Sequence, residues 1–134
     1  SDLLSSMADF SGGYVTVEET AAEIRRIYQK TGYVLDTHTA VASSVYHAYQ
    51  EASGDRTVTV IASTASPYKF ARSVMEAIDS KYAGMDDFAL IDELCKVSGV
   101  SVPKAVEEIR NAPVLHDKVI DKDQMEEAVL AFLR

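Results

Sequence analysis

Apolar residues recur every three to four positions along most of this chain, which is the spacing of helices with one buried face. The pattern predicts a weak helix at residues 1–10 and six clearer ones, at about residues 16–31, 39–53, 67–80, 86–98, 101–111 and 121–133. Capping boxes support two of the starts, because Glu19 stands three residues after Thr16 and Gln124 stands three residues after Asp121. The chain is therefore predicted to be rich in helix.

Short extended segments separate several of these helices. Residues 57–62 (TVTVIA) are apolar and β-branched, which is typical of a buried strand, and residues 14–16 and 33–36 predict shorter extended pieces. Because short strands alternate with helices, the expected fold class is a helix-rich α/β fold: a short, mainly parallel sheet of two or three strands flanked by about six helices. We expect residues 1–134 to form a single unit.

Composition and charge narrow the choice of partners and compartment. Hydrophobic residues make up 47% of the 134 residues and charged residues 25%, which is typical of globular proteins. With 21 acidic and 13 basic side chains the net charge is −8, so neither nucleic acid nor an anionic membrane is an expected partner. No apolar run is long enough to span a bilayer and no signal peptide is visible. The single cysteine, Cys95, fits a reducing compartment, so we expect a cytoplasmic protein.

The segment STASP, residues 63–67, is the first candidate site. It follows the predicted strand at 57–62, and open α/β folds place ligands at the carboxyl ends of their strands. Ser66 before Pro67 is a favourable helix start, so a capping role explains Ser66. Thr64 precedes the cap, and its hydroxyl is compatible with binding a ring nitrogen, with binding a phosphate, or with no ligand.

The segment LDTHTAVA, residues 35–42, is the second candidate site. An extended piece again gives way to a helix, for which Thr37 or Thr39 is the expected cap. His38 suits a general base, a metal ligand or a structural donor, but no second histidine or cysteine lies at metal-binding spacing, so we expect no metal site. The inward face of this helix is predicted to consist of Val41, Val45, Tyr49 and Ala52.

Four motifs together resemble the C-terminal part of threonine synthases. They are DTHTAVA (36–42), TASPYKF (64–70), VSVPKAVEEI (100–109) and APVLHDKVI (112–120). The family pattern is close to D-P-H-T-A-V-G followed by T-A-H-P-x-K-F, and the order and spacing agree over nearly the whole chain. Thr37 stands where the family has proline, Ala42 where it has glycine and Ser66 where it has histidine, so no role of that histidine is carried over.

The resemblance implies a lyase that depends on pyridoxal phosphate and converts O-phosphohomoserine and water to threonine and phosphate. In the family, the threonine of T-A-H-P-x-K-F contacts the pyridine nitrogen of the cofactor, and the matching residue is Thr64. Ser63 and Ser66 are further candidates for cofactor binding. His38 and Lys69 are candidates for an active-site or a structural role.

The resemblance also implies that this chain is one portion of a larger enzyme. In the family, the Schiff-base lysine and the phosphate cradle precede the motifs quoted above, so we expect no catalytic residue here and no activity from the chain alone. The sequence starts at Ser1 and its first methionine is Met7, which fits this expectation. None of the lysines matches the Schiff-base motif: Lys30, Lys69, Lys81, Lys96, Lys104, Lys118 and Lys122. The expected partners are the substrate and the remainder of the same polypeptide; the alternative is a small acidic, helical protein-interaction domain without catalysis.

Overall fold

The structure is a computed structural model that describes residues 7 and 9–133. Over these residues the chain forms six α-helices and three short 3-10 helices. The α-helices are α1 Val17–Thr31, α2 Thr37–Ser53, α3 Ala71–Ile78, α4 Asp87–Ser98, α5 Lys104–Arg110 and α6 Met125–Phe132, and the 3-10 helices are Pro67–Phe70, Ser80–Tyr82 and Lys122–Gln124. Most of the weak helix predicted for residues 1–10 lies outside the described residues. None of the helices in the described part of the chain is long and apolar enough to cross a membrane.

The predicted α/β fold class is wrong, because the described residues contain no strand and no sheet. Residues 57–62 form an irregular segment in which Val58 is 94% exposed and Val60 is 91% exposed. A strand requires a neighbour whose backbone N–H and C=O groups pair with its own. No described segment supplies that neighbour at 57–62 or at the shorter pieces 14–16 and 33–36, so β-branched composition alone did not predict the structure.

The two predicted capping boxes are both present in the structure. At α1, Glu19 N donates to Thr16 Oγ1 at 3.2 Å and Thr16 N donates to Glu19 Oε2 at 2.7 Å, which confirms the capping box. The box at Asp121 and Gln124 is also present. The helix α1 ends at Gly32, which has a φ of 75° and so adopts the left-handed conformation that glycine tolerates.

The predicted cap and inward face of α2 are wrong. Asp36, rather than Thr37 or Thr39, caps this helix. Tyr49 is 41% exposed instead of inward, because α2 packs on α1 around the buried carboxylate of Glu23 and so presents small and polar side chains there. The buried residues of α2 are Thr39, Ala40 and Ser43.

The core lies between α1, α3 and α4, with contributions from the segments on either side of them. The predicted helix at 67–80 is broken into a 3-10 turn, α3 and a second 3-10 turn, and Val74 and Ala77 of α3 are buried. Tyr68 in the first turn is buried and its hydroxyl donates to the Val100 carbonyl, which fixes the chain after α4. The most deeply buried large side chains are Ile24, Val74, Met75, Leu90 and Leu94.

The helix α5 is the last element attached to this core. The guanidinium of Arg110 donates to both Asp92 oxygens, at 3.0 and 2.7 Å, and lies 5.3 Å from the centre of the Phe88 ring. Beyond it, the apolar residues of α6 are exposed, with Val129 at 56% and Phe132 at 87%. No described residue after Val106 belongs to the core or packs against it.

Candidate functional site

The two candidate segments predicted from the sequence lie against each other. Ser63 Oγ donates to Asp36 Oδ2 at 3.3 Å, and Thr39 Oγ1 lies 2.9 Å from Ser63 Oγ. Thr39 Oγ1 also donates to Asp36 Oδ2. These three contacts share two hydroxyl protons. Ser63 donates to Asp36, and the Thr39 hydroxyl donates a three-centre hydrogen bond to Asp36 and Ser63. This cluster joins the start of α2 to the segment at 63–67.

Asp36 is held firmly at the centre of this cluster. It is 2% exposed, and its Oδ1 accepts from the backbone N–H groups of His38 at 2.8 Å and Thr39 at 3.1 Å. Burial opposes ionisation, but the bonds from the Thr39 side chain, the two backbone N–H groups and Ser63 outweigh burial and keep the pKa of Asp36 below its ordinary value. Asp36 is therefore a buried carboxylate at the N-terminus of α2.

The three hydroxyl side chains of STASP have different surroundings. Ser63 bonds to the Asp36 cluster, whereas Ser66 accepts from Tyr68 N at 3.3 Å and caps the 3-10 helix Pro67–Phe70, which confirms its predicted capping role. Thr64 is exposed, and it makes no side-chain hydrogen bond to any residue that the structure describes. Of the three, Thr64 is the one whose hydroxyl makes no hydrogen bond to a described residue.

His38 and Lys69 both contact the ring of Phe70. The imidazole of His38 lies 5.1 Å from the Phe70 ring centre to centre, and Lys69 Nζ lies 5.7 Å from the centre of that ring. The His38 side chain is 63% exposed and its Nδ1 is 3.7 Å from Asp36 Oδ1. All of the candidate residues predicted from the sequence are therefore located at the junction of the segments 36–39 and 63–70.

An open cleft of about 640 Å³ adjoins this junction, between α1, α2 and α3. His38 and Phe70 of the junction line it, together with Ile24, Arg25 and Ala77. Arg25 Nε donates to the Ala77 carbonyl at 2.8 Å, which ties α1 to α3 at residues that line the cleft. Within the described part of the chain, no three His, Cys, Asp or Glu side chains converge as a metal site would require.

Asp36 was missed as a site residue, although the sequence offered a clue. An aspartate directly before a helical run is a preferred cap, and Asp36 occupies that position in LDTHTAVA. Thr37 and Thr39 follow it and are also favourable caps, so the cap was predicted one or three residues too late. The contact with Ser63 has no local signature, because the two residues are joined only by the tertiary fold.

A family model described as "Threonine synthase, C-terminal" matches residues 39–120. Threonine synthase from Saccharomyces cerevisiae is 36% identical over 97 residues, which cover 67% of this chain and 19% of that protein. Threonine synthase from Schizosaccharomyces pombe is 35% identical over 79 residues, 58% of this chain and 15% of that protein.

Threonine synthase-like 1 from Homo sapiens is 39% identical over 74 residues, which are 54% of this chain and 9% of that protein. The chain thus spans between 9% and 19% of the length of these curated relatives. Since the family model matches more than half of the residues, this chain belongs to the threonine synthase C-terminal family.

Proposed function

We propose that this chain is the C-terminal part of a threonine synthase, a cytoplasmic lyase of threonine biosynthesis that depends on pyridoxal phosphate. The reaction proposed for the complete polypeptide is the conversion of O-phosphohomoserine and water to threonine and phosphate. Family membership supports the assignment. One observation supports the proposed site: Thr64 is exposed, and its neighbour Ser63 is hydrogen-bonded to Asp36.

The Thr64 hydroxyl fits one edge of the cofactor. Pyridoxal phosphate, when bound, supplies an electron sink through its pyridine ring. A neutral hydroxyl donates to an unprotonated ring nitrogen, whereas a carboxylate in the same place would favour the protonated ring. Thr64 therefore sets the protonation state of the ring and with it the strength of the electron sink.

The neighbouring side chains support Thr64 rather than share its role. Ser63 donates its proton to Asp36, and Ser66 accepts from Tyr68 N as the cap of the following turn, so both side chains already serve the fold. His38 and Lys69 flank Phe70 beside the open cleft, where their cationic or hydrogen-bonding groups suit an anionic substrate such as a phosphate ester. We assign them to the substrate side of the site.

The remainder of the same polypeptide is the proposed partner of the exposed apolar surface. Val58 and Val60 are 94% and 91% exposed, and Val119 and Phe132 are 92% and 87% exposed. Exposed apolar side chains that lie close together, as Val58 and Val60 do along the chain, are typical of an interface. The lysine that binds the cofactor and the cradle for its phosphate are assigned to that remainder, so the 134-residue chain alone is expected to be inactive.

The test is Thr64→Val in the complete enzyme that carries this chain. Valine keeps the shape and removes the hydroxyl, which costs about 1 kcal/mol, or about fivefold in rate if the contact acts only in the transition state. The absorption spectrum of the bound cofactor should shift while the cofactor stays bound. Thr31→Val is the control, because the Thr31 hydroxyl donates to the Ile27 carbonyl of its own helix at 2.8 Å. A Thr64→Val enzyme with unchanged spectrum and turnover would refute the proposed contact.

A further inference from the structure

We propose that Asp36 is a positioning residue for Thr64. Its buried carboxylate holds Ser63, and holding Ser63 fixes the place of the neighbouring Thr64 hydroxyl. The inference rests on the proposed function in that it takes Thr64 as the residue that meets the cofactor ring. It adds Asp36 to that site and states how Asp36 acts, through its hydrogen bond to Ser63.

The segment that carries Thr64 has a single hydrogen-bonded anchor. Among the described residues from 58 to 65, only Ser63 is hydrogen-bonded to another part of the chain, and it bonds to Asp36 and Thr39. The side-chain bond of Thr59 is local, since its hydroxyl donates to the Thr57 carbonyl at 3.0 Å. Losing the Asp36 anchor would therefore release the stretch in front of the Ser66 cap.

Asp36 is well suited to be that anchor. Its Oδ1 is already bonded to two backbone N–H groups at the start of α2, so the carboxylate cannot rotate freely. Hydrogen bonds to an ionised carboxylate are stronger than bonds between neutral groups. A contact group near a reacting ring must be held to a fraction of an ångström, and an anchor on a helix end holds it better than a loop alone.

Asp86 provides a matched control. It caps α4 in the same way, with Oδ1 accepting from Phe88 N at 3.0 Å and Ala89 N at 3.2 Å. Its other oxygen holds no side chain from a distant described segment. Asparagine is also a good cap, so Asp36→Asn and Asp86→Asn both keep their helix starts, and only Asp36→Asn disturbs the acceptor for Ser63 and Thr39.

The first measurement uses the 134-residue chain without cofactor. Backbone amide chemical shifts of residues 62–65 should move in Asp36→Asn and in Ser63→Ala, and should stay in place in Asp86→Asn. Ser63 is exposed, so Ser63→Ala tests the anchor without threatening the core. Because Ser63→Ala also changes these shifts by the substitution itself, Asp36→Asn decides the test: unchanged amides at 62–65 in Asp36→Asn would overturn the anchoring role.

The second measurement uses the complete enzyme and a double-mutant cycle. If Asp36 acts through Thr64, Asp36→Asn should lower kcat by no more than Thr64→Val does, with a shift of the cofactor spectrum in the same direction. The double variant Asp36→Asn/Thr64→Val should match Thr64→Val alone within about twofold, because the anchor has nothing left to position. If the effects of the two single variants on kcat multiply in the double variant, the inference is overturned and the proposed Thr64 contact is not. If Thr64→Val changes neither kcat nor the spectrum, the proposed Thr64 contact and the inference are both refuted.

Discussion

Ser43 on α2 donates a hydrogen bond of 2.6 Å to Oε1 of Glu23 on α1, and this carboxylate is only 6% exposed. Arg26 binds the same carboxylate with two bonds of 2.7 Å, and His47 Nε2 lies 3.7 Å from Oε1. The bond from Arg26, opposed by burial and assisted by Ser43, lowers the pKa of Glu23. The contact between α1 and α2 is therefore organised around a charge.

The first prediction concerns this charge. Glu23→Gln should lower the free energy of unfolding by about 1.5–3 kcal/mol, because charge-assisted bonds to a buried group are lost. Glu108→Gln is the control: Glu108 Oε1 pairs with Lys104 Nζ at 3.5 Å, but its side chain is 63% exposed, so no measurable loss is expected. Urea unfolding of both variants at pH 7 makes the comparison. Equal stabilities would show that the cluster at Glu23 does not hold the helices together.

The second prediction concerns pH. Because the folded-state pKa of Asp36 lies below the unfolded value of about 3.9, Asp36 stabilises the fold above that value and loses its contribution as the pH falls through the folded pKa. Asp36→Asn should be less stable than wild type by about 1–2 kcal/mol at pH 7. The difference should shrink as the pH is lowered below about 4. Denaturant unfolding across this range tests the prediction, and a constant difference would contradict it.

The third prediction concerns the chain without the rest of an enzyme. A single hydroxyl contact contributes on the order of 1 kcal/mol, which is far too little to hold a cofactor. Mixed with pyridoxal phosphate and borohydride, the 134-residue chain should yield no product labelled at one unique lysine, as read by peptide mass spectrometry. It should also form no threonine from O-phosphohomoserine. Stoichiometric labelling of one lysine would contradict the proposal that the cofactor lysine lies elsewhere.

The fourth prediction concerns association. The exposed valines of residues 57–62 should drive the isolated chain to associate at high concentration, because apolar patches pair with one another. Val58→Lys/Val60→Lys should reduce the mass measured by light scattering. Thr57→Lys/Thr59→Lys adds the same charge to the same segment without removing apolar surface, so it should leave association largely in place. Equal effects of the two variants would point to charge rather than apolar contact.

Local sequence predicted both ends of α1 well and the cap and inward face of α2 poorly. The box at Thr16 and the stop at Gly32 depend on adjacent residues, so the sequence contains all the necessary information. The predicted strand at 57–62 and the predicted inward position of Tyr49 depend on which segments meet in space. A β-branched run cannot form a strand without a pairing neighbour, and the buried charge of Glu23 determined the inward face of α2.

In the candidate site, too, the features set by adjacent residues were predicted and the contacts between distant residues were not. The two candidate segments that contain Asp36 and Ser63 were recognisable in the sequence, and the capping role of Ser66 followed from the proline after it. The hydrogen bond between Asp36 and Ser63 spans 27 residues and arises only from the fold. The contact proposed for Thr64 rests on family resemblance, and the structure adds that its hydroxyl is exposed and carries no bond to a described neighbour.

Arg110, which binds Asp92, lies close to the point at which the chain leaves the core, and this determines where the chain can be cut without harm to the core. Since no described residue after Val106 contributes to the core, a protease acting between residues 112 and 121 would detach α6 and uncover no core side chain. The helices α1 to α5 would keep their packing, and their unfolding would be unchanged. The valine, leucine and phenylalanine side chains of residues 114–133 therefore do not contribute to the stability of those helices.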